Sequence, residues 1–423
     1  MSGGSPAIRR RRVALGALAV AAALGGAIIG SRVDSDPPER ASELAGNSAG
    51  EGPPGRGAGA PAEENEPTPA PGAPEEESEP GAAPPCSNRI AHRPARLAGQ
   101  MLMVRMEAAA TDVLLDRARR GELGGVILFP PEGADAAALA TEVAKLDRAA
   151  RGAGFPEPLV AIDQEGGEVK RLADSPPDLA PPEIEGAGGA PVAFDEGLAT
   201  GRALEGIGVE IDLAPVLDVP VAGSFIVSRA FSDDPRAVGE LGVAFAEGLG
   251  RAGVAATAKH FPGLGLASLN TDFESSAVDA SRAALEPGLA PFREAVAAGI
   301  PLVMAANAVY PAYDPAAPAS LSRRVIQRLL RRELGFDGVV ITDDLGAAAI
   351  AGAGYEEGAA ALAAVTAGAD LPLFALTDGA SAAAALERAA KRDPAIRRRM
   401  VESCARITEL RARLAVQTPM VSP

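Results

Sequence analysis

The chain has 423 residues and a formal net charge of -16, with 40 Lys and Arg against 56 Asp and Glu. So acidic a balance, with no Trp and three Tyr, excludes a nucleic-acid binder: no basic face releases counterions and few rings are left to stack on bases. Two His and two Cys exclude most zinc sites and any disulfide-rich scaffold.

Charge is unevenly spread. Residues 1–32 hold five Arg and no acid, whereas 33–85 hold twelve acids, two Arg and twelve Pro. Arg9 to Arg12 precede an uncharged run from Val13 to Gly30, rich in Ala, Gly, Leu and Ile. As a helix this run spans about 27 Å, enough for a hydrocarbon core. The Arg cluster then stays cytoplasmic and everything after Gly30 is exported. A cleaved signal peptide is the rival reading, but its apolar region is shorter and the triplet Ala17-Leu18-Ala19 falls too early for its cleavage site. An uncleaved anchor is the expectation. Residues 33–85 have almost nothing to bury and read as a disordered, charge-stiffened tether.

From Cys86 to the C-terminus (86–423) short apolar runs alternate with Ala/Leu/Arg-rich helical stretches. The runs are Met101–Val104, Val126–Phe129, Leu159–Ile162, Val209–Leu213, Val254–Ala258, Leu302–Ala305, Val339–Ile341 and Leu371–Phe374. Repeating β-then-α units with apolar strands predict a parallel sheet buried on both faces. Eight such units predict an α/β fold of the (β/α)₈ TIM-barrel class, one domain behind the membrane segment and the linker. An open doubly wound sheet would carry a Gly-rich phosphate loop after an early strand, and none is present.

Polar residues follow these runs: Asp163-Gln164-Glu165 after the third, Lys259-His260 after the fifth, Asn307 after the sixth, Asp343-Asp344 after the seventh. Barrel enzymes gather reactive groups at the C-terminal ends of strands, and charge placed there is costly without a purpose.

The segments carrying these residues are Ile162-Asp163-Gln164-Glu165-Gly166-Gly167 with Arg171, Arg229-Ala230-Phe231-Ser232-Asp233-Asp234-Pro235, Lys259-His260-Phe261-Pro262-Gly263, and Ile341-Thr342-Asp343-Asp344. In that order they resemble glycoside hydrolase family 3, in its single-barrel β-N-acetylhexosaminidase branch. The resemblance implies that Asp163, Arg171, Arg229, Lys259 and His260 bind the substrate sugar, and that Gly166 and Gly167 let the backbone approach it. It makes Asp343 the nucleophile of a retaining reaction, with Asp344 turned away in a structural role. It implies a carbohydrate substrate, namely β-linked N-acetylglucosamine or related β-glycosides of cell-wall material cut from a chain end, and calls for no metal or organic cofactor.

The acid/base segment departs from the family pattern. Where that branch reads His-Gly and then Asp-Ser-His, this chain reads Leu264-Gly265 and then Asn270-Thr271-Asp272. One reading makes Asp272 the acid/base, with Phe273 desolvating the carboxyl and Glu274 in reserve. The other is a catalytically weakened, tethered glycan-binding module that keeps the sugar pocket. Finally, Cys86 opens the domain and Cys404 lies in the last helix. First and last elements of a closed barrel are neighbours, so an exported chain is expected to join them in a disulfide. Oligomeric state is not legible in the sequence.

Overall fold

The computed structural model describes residues 86–417. The expected anchor (1–32) and linker (33–85) lie outside the described residues, and among the described residues no helix is long and apolar enough to cross a membrane.

Eight strands form the core: β1 (Met103–Met106), β2 (Gly125–Leu128), β3 (Leu159–Ile162), β4 (Ile211–Asp212), β5 (Ala255–Phe261), β6 (Leu302–Ala305), β7 (Val339–Thr342) and β8 (Leu373–Phe374). All pair in parallel and sit in chain order from β1 to β7, with β8 beside β1. A parallel bridge between Ile341 and Leu371 joins β7 to the approach of β8 and closes the ring. β2, β3, β6 and β7 are buried at every position, as a sheet covered on both faces requires.

Each apolar run therefore became a strand, with shifted ends. β5 runs further than its apolar stretch, so Lys259 and His260 lie within the strand and not after it. Main-chain bonds from Leu217 N to Lys259 O (2.6 Å) and from Lys259 N to Pro215 O (3.2 Å) extend the ladder past the last alanine. Hydropathy ends where charge begins, but backbone pairing does not.

Alternate strand residues fill the barrel. Met103, Ile127, Ala161, Ile211, Ala255, Met304, Ile341 and Leu373 belong to one buried apolar cluster. Side chains repeat every second residue along a strand, so two further steps on β2, β3 and β7 reach Phe129, Asp163 and Asp343; four on β5 reach Lys259. The same alternation that packs the barrel aims these groups at its C-terminal mouth.

Helices α1 (Asp112–Arg120), α2 (Ala136–Gly152), α3 (Ala190–Glu205), α4 (Pro235–Arg251), α5 (Arg282–Ala297), α6 (Arg324–Glu333), α7 (Glu357–Ala367) and α8 (Ala380–Arg392) cover the outside, and α9 (Pro394–Gln417) ends the described chain. Side-chain caps start several: Thr111 on α1, Asp135 on α2, Asp234 on α4 and Ser281 on α5 each accept a main-chain N–H of the first turn.

α9 is held beneath the ring. Asp370, fully buried before β8, accepts from Arg331 of α6 (2.6 Å) and from Arg399 (2.6 Å), Arg406 (3.2 Å) and Ser403 (2.8 Å) of α9. Burial alone would raise its pKa, but the three guanidiniums outweigh that and hold it below the ordinary value. Further along α9, half-buried Arg411 donates to Gly124 O at 2.8 Å. Near it Glu210, just before β4, accepts from Val160 N at 3.2 Å. Cys404 of α9 is bonded to Cys86, with sulfurs 2.06 Å apart and Cα atoms 5.3 Å apart.

Candidate functional site

Asp163 leaves the end of β3 and accepts from Lys259 Nζ at 2.8 Å; Arg171 Nη2 stands 3.8 Å from its other oxygen. The Arg171 guanidinium also covers the Phe129 ring, 4.5 Å from its centroid. Two residues after Asp163, the almost fully buried Glu165 accepts from Lys259 Nζ at 2.6 Å and takes a two-pronged bond from Arg229 at 2.7 and 2.8 Å. Burial pushes the Glu165 carboxyl upward, but Lys259 and Arg229 prevail and hold it near 2. Reciprocally, burial lowers Lys259 while Asp163 and Glu165 raise it further, leaving its pKa above the usual value. Arg229 is also raised, because Glu165 outweighs burial. The result is a fixed lattice of alternating charges whose unshared edge belongs to Asp163 and Arg171.

Glu165 is the residue that sequence reasoning passed over. It stands in the quoted motif, but the resemblance assigned sugar contact to its neighbours and left the clamp unassigned. Gly166 and Gly167 also have another reason to be there. Their φ angles of +94° and +60° lie in the left-handed region, where a side chain is strained. They make the turn that returns the chain from Gln164–Gly166 to Val169–Lys170, and so bring Arg171 back over Asp163.

His260 is held from behind by Asp218, a second residue the sequence reading missed. Asp218 Oδ2 lies 2.7 Å from His260 Nδ1, and its Oδ1 accepts from His260 N (3.3 Å) and Leu264 N (2.6 Å). The available signal was a carboxylate closing the apolar run Leu213–Leu217. Another buried carboxyl, Asp212, accepts from Gln164 N at 3.0 Å. Burial sets its pKa well above the usual value.

Asp343 follows β7 and is partly buried. Its Oδ1 accepts from Asp344 N at 2.8 Å. Burial raises its pKa to about 6; His260 opposes the rise and Asp272 adds to it. Asp344 turns away: its Oδ1 accepts from Gly346 N and Ala375 N, both at 2.9 Å, which ties the turn after β7 to that after β8. Asn307, after β6, is buried and fully engaged. It donates to Asp344 O at 2.7 Å and accepts from Ser320 Oγ at 2.7 Å, so it braces the strand end that presents Asp343.

Asp272 stands on the loop after β5 with its charge felt by both Asp343 and Asp344. The loop is docked beside them: Ala349 N donates to Thr271 O (3.3 Å) and Ala348 N to Asp272 O (3.2 Å). Among the described residues Asp272 has no ion-pair partner. One expectation is corrected here. Phe273 is 75% exposed and Asp272 is exposed as well, so in this loop arrangement the ring does not shield the carboxyl from water. Turn geometry decides this: Asn270 takes the main-chain N–H groups of Phe273 and Glu274 on its carbonyl and that of Asp272 on its side chain, lifting the next side chains off the surface.

The structure thus brings Asp163, Arg171, Arg229, Lys259, His260 and Asp343 to one mouth, with Asp272 on its rim. Among the described residues no group of three or more His, Cys, Asp or Glu stands ready to hold a metal ion.

Comparison with known proteins agrees with this geometry. Residues 96–410 match the glycosyl hydrolase family 3 N terminal domain. The chain is 38% identical over 241 residues to a beta-hexosaminidase of Xanthomonas oryzae pv. oryzae, covering 55% of this chain and 70% of that protein. Among solved structures, it resembles a glycoside hydrolase family 3 beta-N-acetylglucosaminidase of Paenibacillus sp. str. FPU-7 (TM-score 0.72, 34% identity), covering 78% of this chain and 64% of that one. It also resembles a beta-N-acetylhexosaminidase of Beutenbergia cavernae (TM-score 0.70, 32% identity), covering 76% of this chain and 98% of that one. A closed barrel, a charge lattice at its mouth and these relatives together make the chain a glycoside hydrolase of family 3, of the β-hexosaminidase-like kind.

Proposed function

We propose that this domain hydrolyses β-glycosidic bonds with retention of configuration, removing N-acetylglucosamine or a related sugar from the end of a glycan chain. Asp163 and Arg171 grip the sugar hydroxyls, Lys259 and His260 hold the ring, and Arg229 keeps Glu165 and Lys259 in register. Asp343 attacks the anomeric carbon and the glycosidic oxygen leaves with a proton from Asp272. Asp272 then takes a proton from water, which attacks the same carbon and frees the Asp343 carboxylate.

The observation that carries this reading is the single contact network Arg171–Asp163–Lys259–Glu165–Arg229, facing a carboxyl, Asp343, whose raised pKa responds to Asp272. Export supplies the setting: an N-terminal anchor and tether would present the domain to cell-wall glycans. A second reading, a tethered glycan-binding module, draws support from the exposure of Asp272, which stands on the rim and not inside the mouth.

A panel of aryl β-glycosides decides between them. Turnover that disappears in Asp343→Asn, and that in Asp272→Asn survives only for activated leaving groups, supports the hydrolase. Glycan binding by an inactive wild type supports the module.

A further inference from the structure

Several of the large apolar side chains exposed among the described residues stand on loops around the mouth, whereas Val113 and Val416 lie on α1 and α9. Leu266, Leu269 and Phe273 stand on the loop after β5 and Leu376 follows β8. Both segments touch the turn that carries Asp343: Asp272 O accepts from Ala348 N, and a Cβ on Gly346 would lie 3.2 Å from that of Leu376. Phe273 is the one exposed aromatic side chain among the described residues, and the chain has no Trp. A bare ring is unfavourable in water, and a phenyl group has no polar handle. It matches the C–H face of a pyranose whose substituents lie in the ring plane. Its chain neighbours Asp272 and Glu274 are exposed, and among the described residues neither carboxylate has an ion-pair partner. Any anion entering beside the ring meets the uncompensated charge of Glu274, Asp272 being the proton donor of the first step.

We infer that Phe273, between Asp272 and Glu274, forms the leaving-group subsite and selects a neutral sugar there over a carboxylate-bearing one. This rests on the hydrolase reading, since it takes the loop after β5 as the leaving-group side. It narrows the substrate to glycans whose second unit is an uncharged amino sugar and disfavours one whose second unit carries a lactyl acid.

The test compares kcat/KM for diacetylchitobiose, for the disaccharide with N-acetylmuramic acid as second unit, and for N-acetyl-β-glucosaminyl fluoride, which offers nothing to stack. Wild type should prefer chitobiose over the acidic disaccharide about tenfold at low salt, and less at high ionic strength. Phe273→Ala should lower kcat/KM for chitobiose about three- to tenfold and leave the fluoride within about twofold, with unchanged thermal stability because the ring is exposed. Glu274→Gln should narrow the charge preference. Equal use of both disaccharides, or equal losses in Phe273→Ala for chitobiose and fluoride, overturns the inference. If wild type cleaves none of the three, the hydrolase reading has failed. Calorimetric binding of the two disaccharides to Asp343→Asn, with and without Phe273→Ala, then decides the subsite: tighter neutral binding that needs the ring supports it, and indifference refutes it.

Discussion

Lys259 Nζ lies 2.6 Å from Glu165 Oε1, and both side chains are at most 2% exposed. Glu165 offsets Lys259 and Arg229 together, and Asp163 alone cannot balance both cations. Removing one partner of such a pair leaves an unmatched buried charge, which costs about 3–5 kcal/mol. Glu165→Gln should therefore lower unfolding free energy by that order in a denaturant titration. It should also weaken glycan binding, because Lys259 and Arg229 lose their common anchor. A variant of unchanged stability would show that the clamp is ornamental.

As the proposed nucleophile, Asp343 must be ionised to attack. With its pKa raised to about 6, kcat/KM should fall tenfold per unit on the acid side of that value. The stability sign is the opposite. A carboxyl raised in the folded state contributes fully below its ordinary value of 3.8 and loses that contribution as pH rises through about 6. Asp343→Asn should thus abolish turnover of an activated aryl glycoside by a factor of about 10³ or more and raise the melting temperature at pH 7. Destabilisation by the substitution would contradict the burial argument.

Below the barrel, Glu210 has its pKa pushed by burial to about 7 despite the nearby Arg411. Its contribution to stability is complete below 4.5 and is lost as pH rises to about 7. Wild type should therefore unfold more readily at pH 7.5 than at pH 5.5. Glu210→Gln, which keeps an acceptor for Val160 N, should flatten that part of the profile. Parallel profiles for the two proteins would refute the assignment.

The bond between Cys86 and Cys404 closes almost the whole domain into one loop. Disulfides typically contribute about 2–4 kcal/mol, so Cys86→Ser with Cys404→Ser should lower unfolding free energy by about that much, leaving the mouth intact. Labelling of the unreduced, denatured protein should find no free thiol; two would show that the bond does not form.

The barrel was legible because its strands are buried on both faces, so apolar runs such as Leu159–Ile162 and Leu302–Ala305 stand out from their surroundings. The boundary of β5 was not, since Lys259 and His260 are strand residues whose charge hides them from a hydropathy reading. The polar residues gathered at the mouth were reached through motif resemblance. Their supports were not, because Glu165, Asp218 and Asn307 act through contacts between strands that no local spacing encodes. Phe273 shows the converse limit. An apolar residue beside a carboxyl reads as a shield in sequence, but whether it covers or stands clear is set by the turn at Asn270.

The link between Cys86 and Cys404 also fixes how tension would travel through the molecule. A pull arriving from the residues before Cys86 would pass across the sulfurs into α9, and from there through Asp370 into β7 and β8.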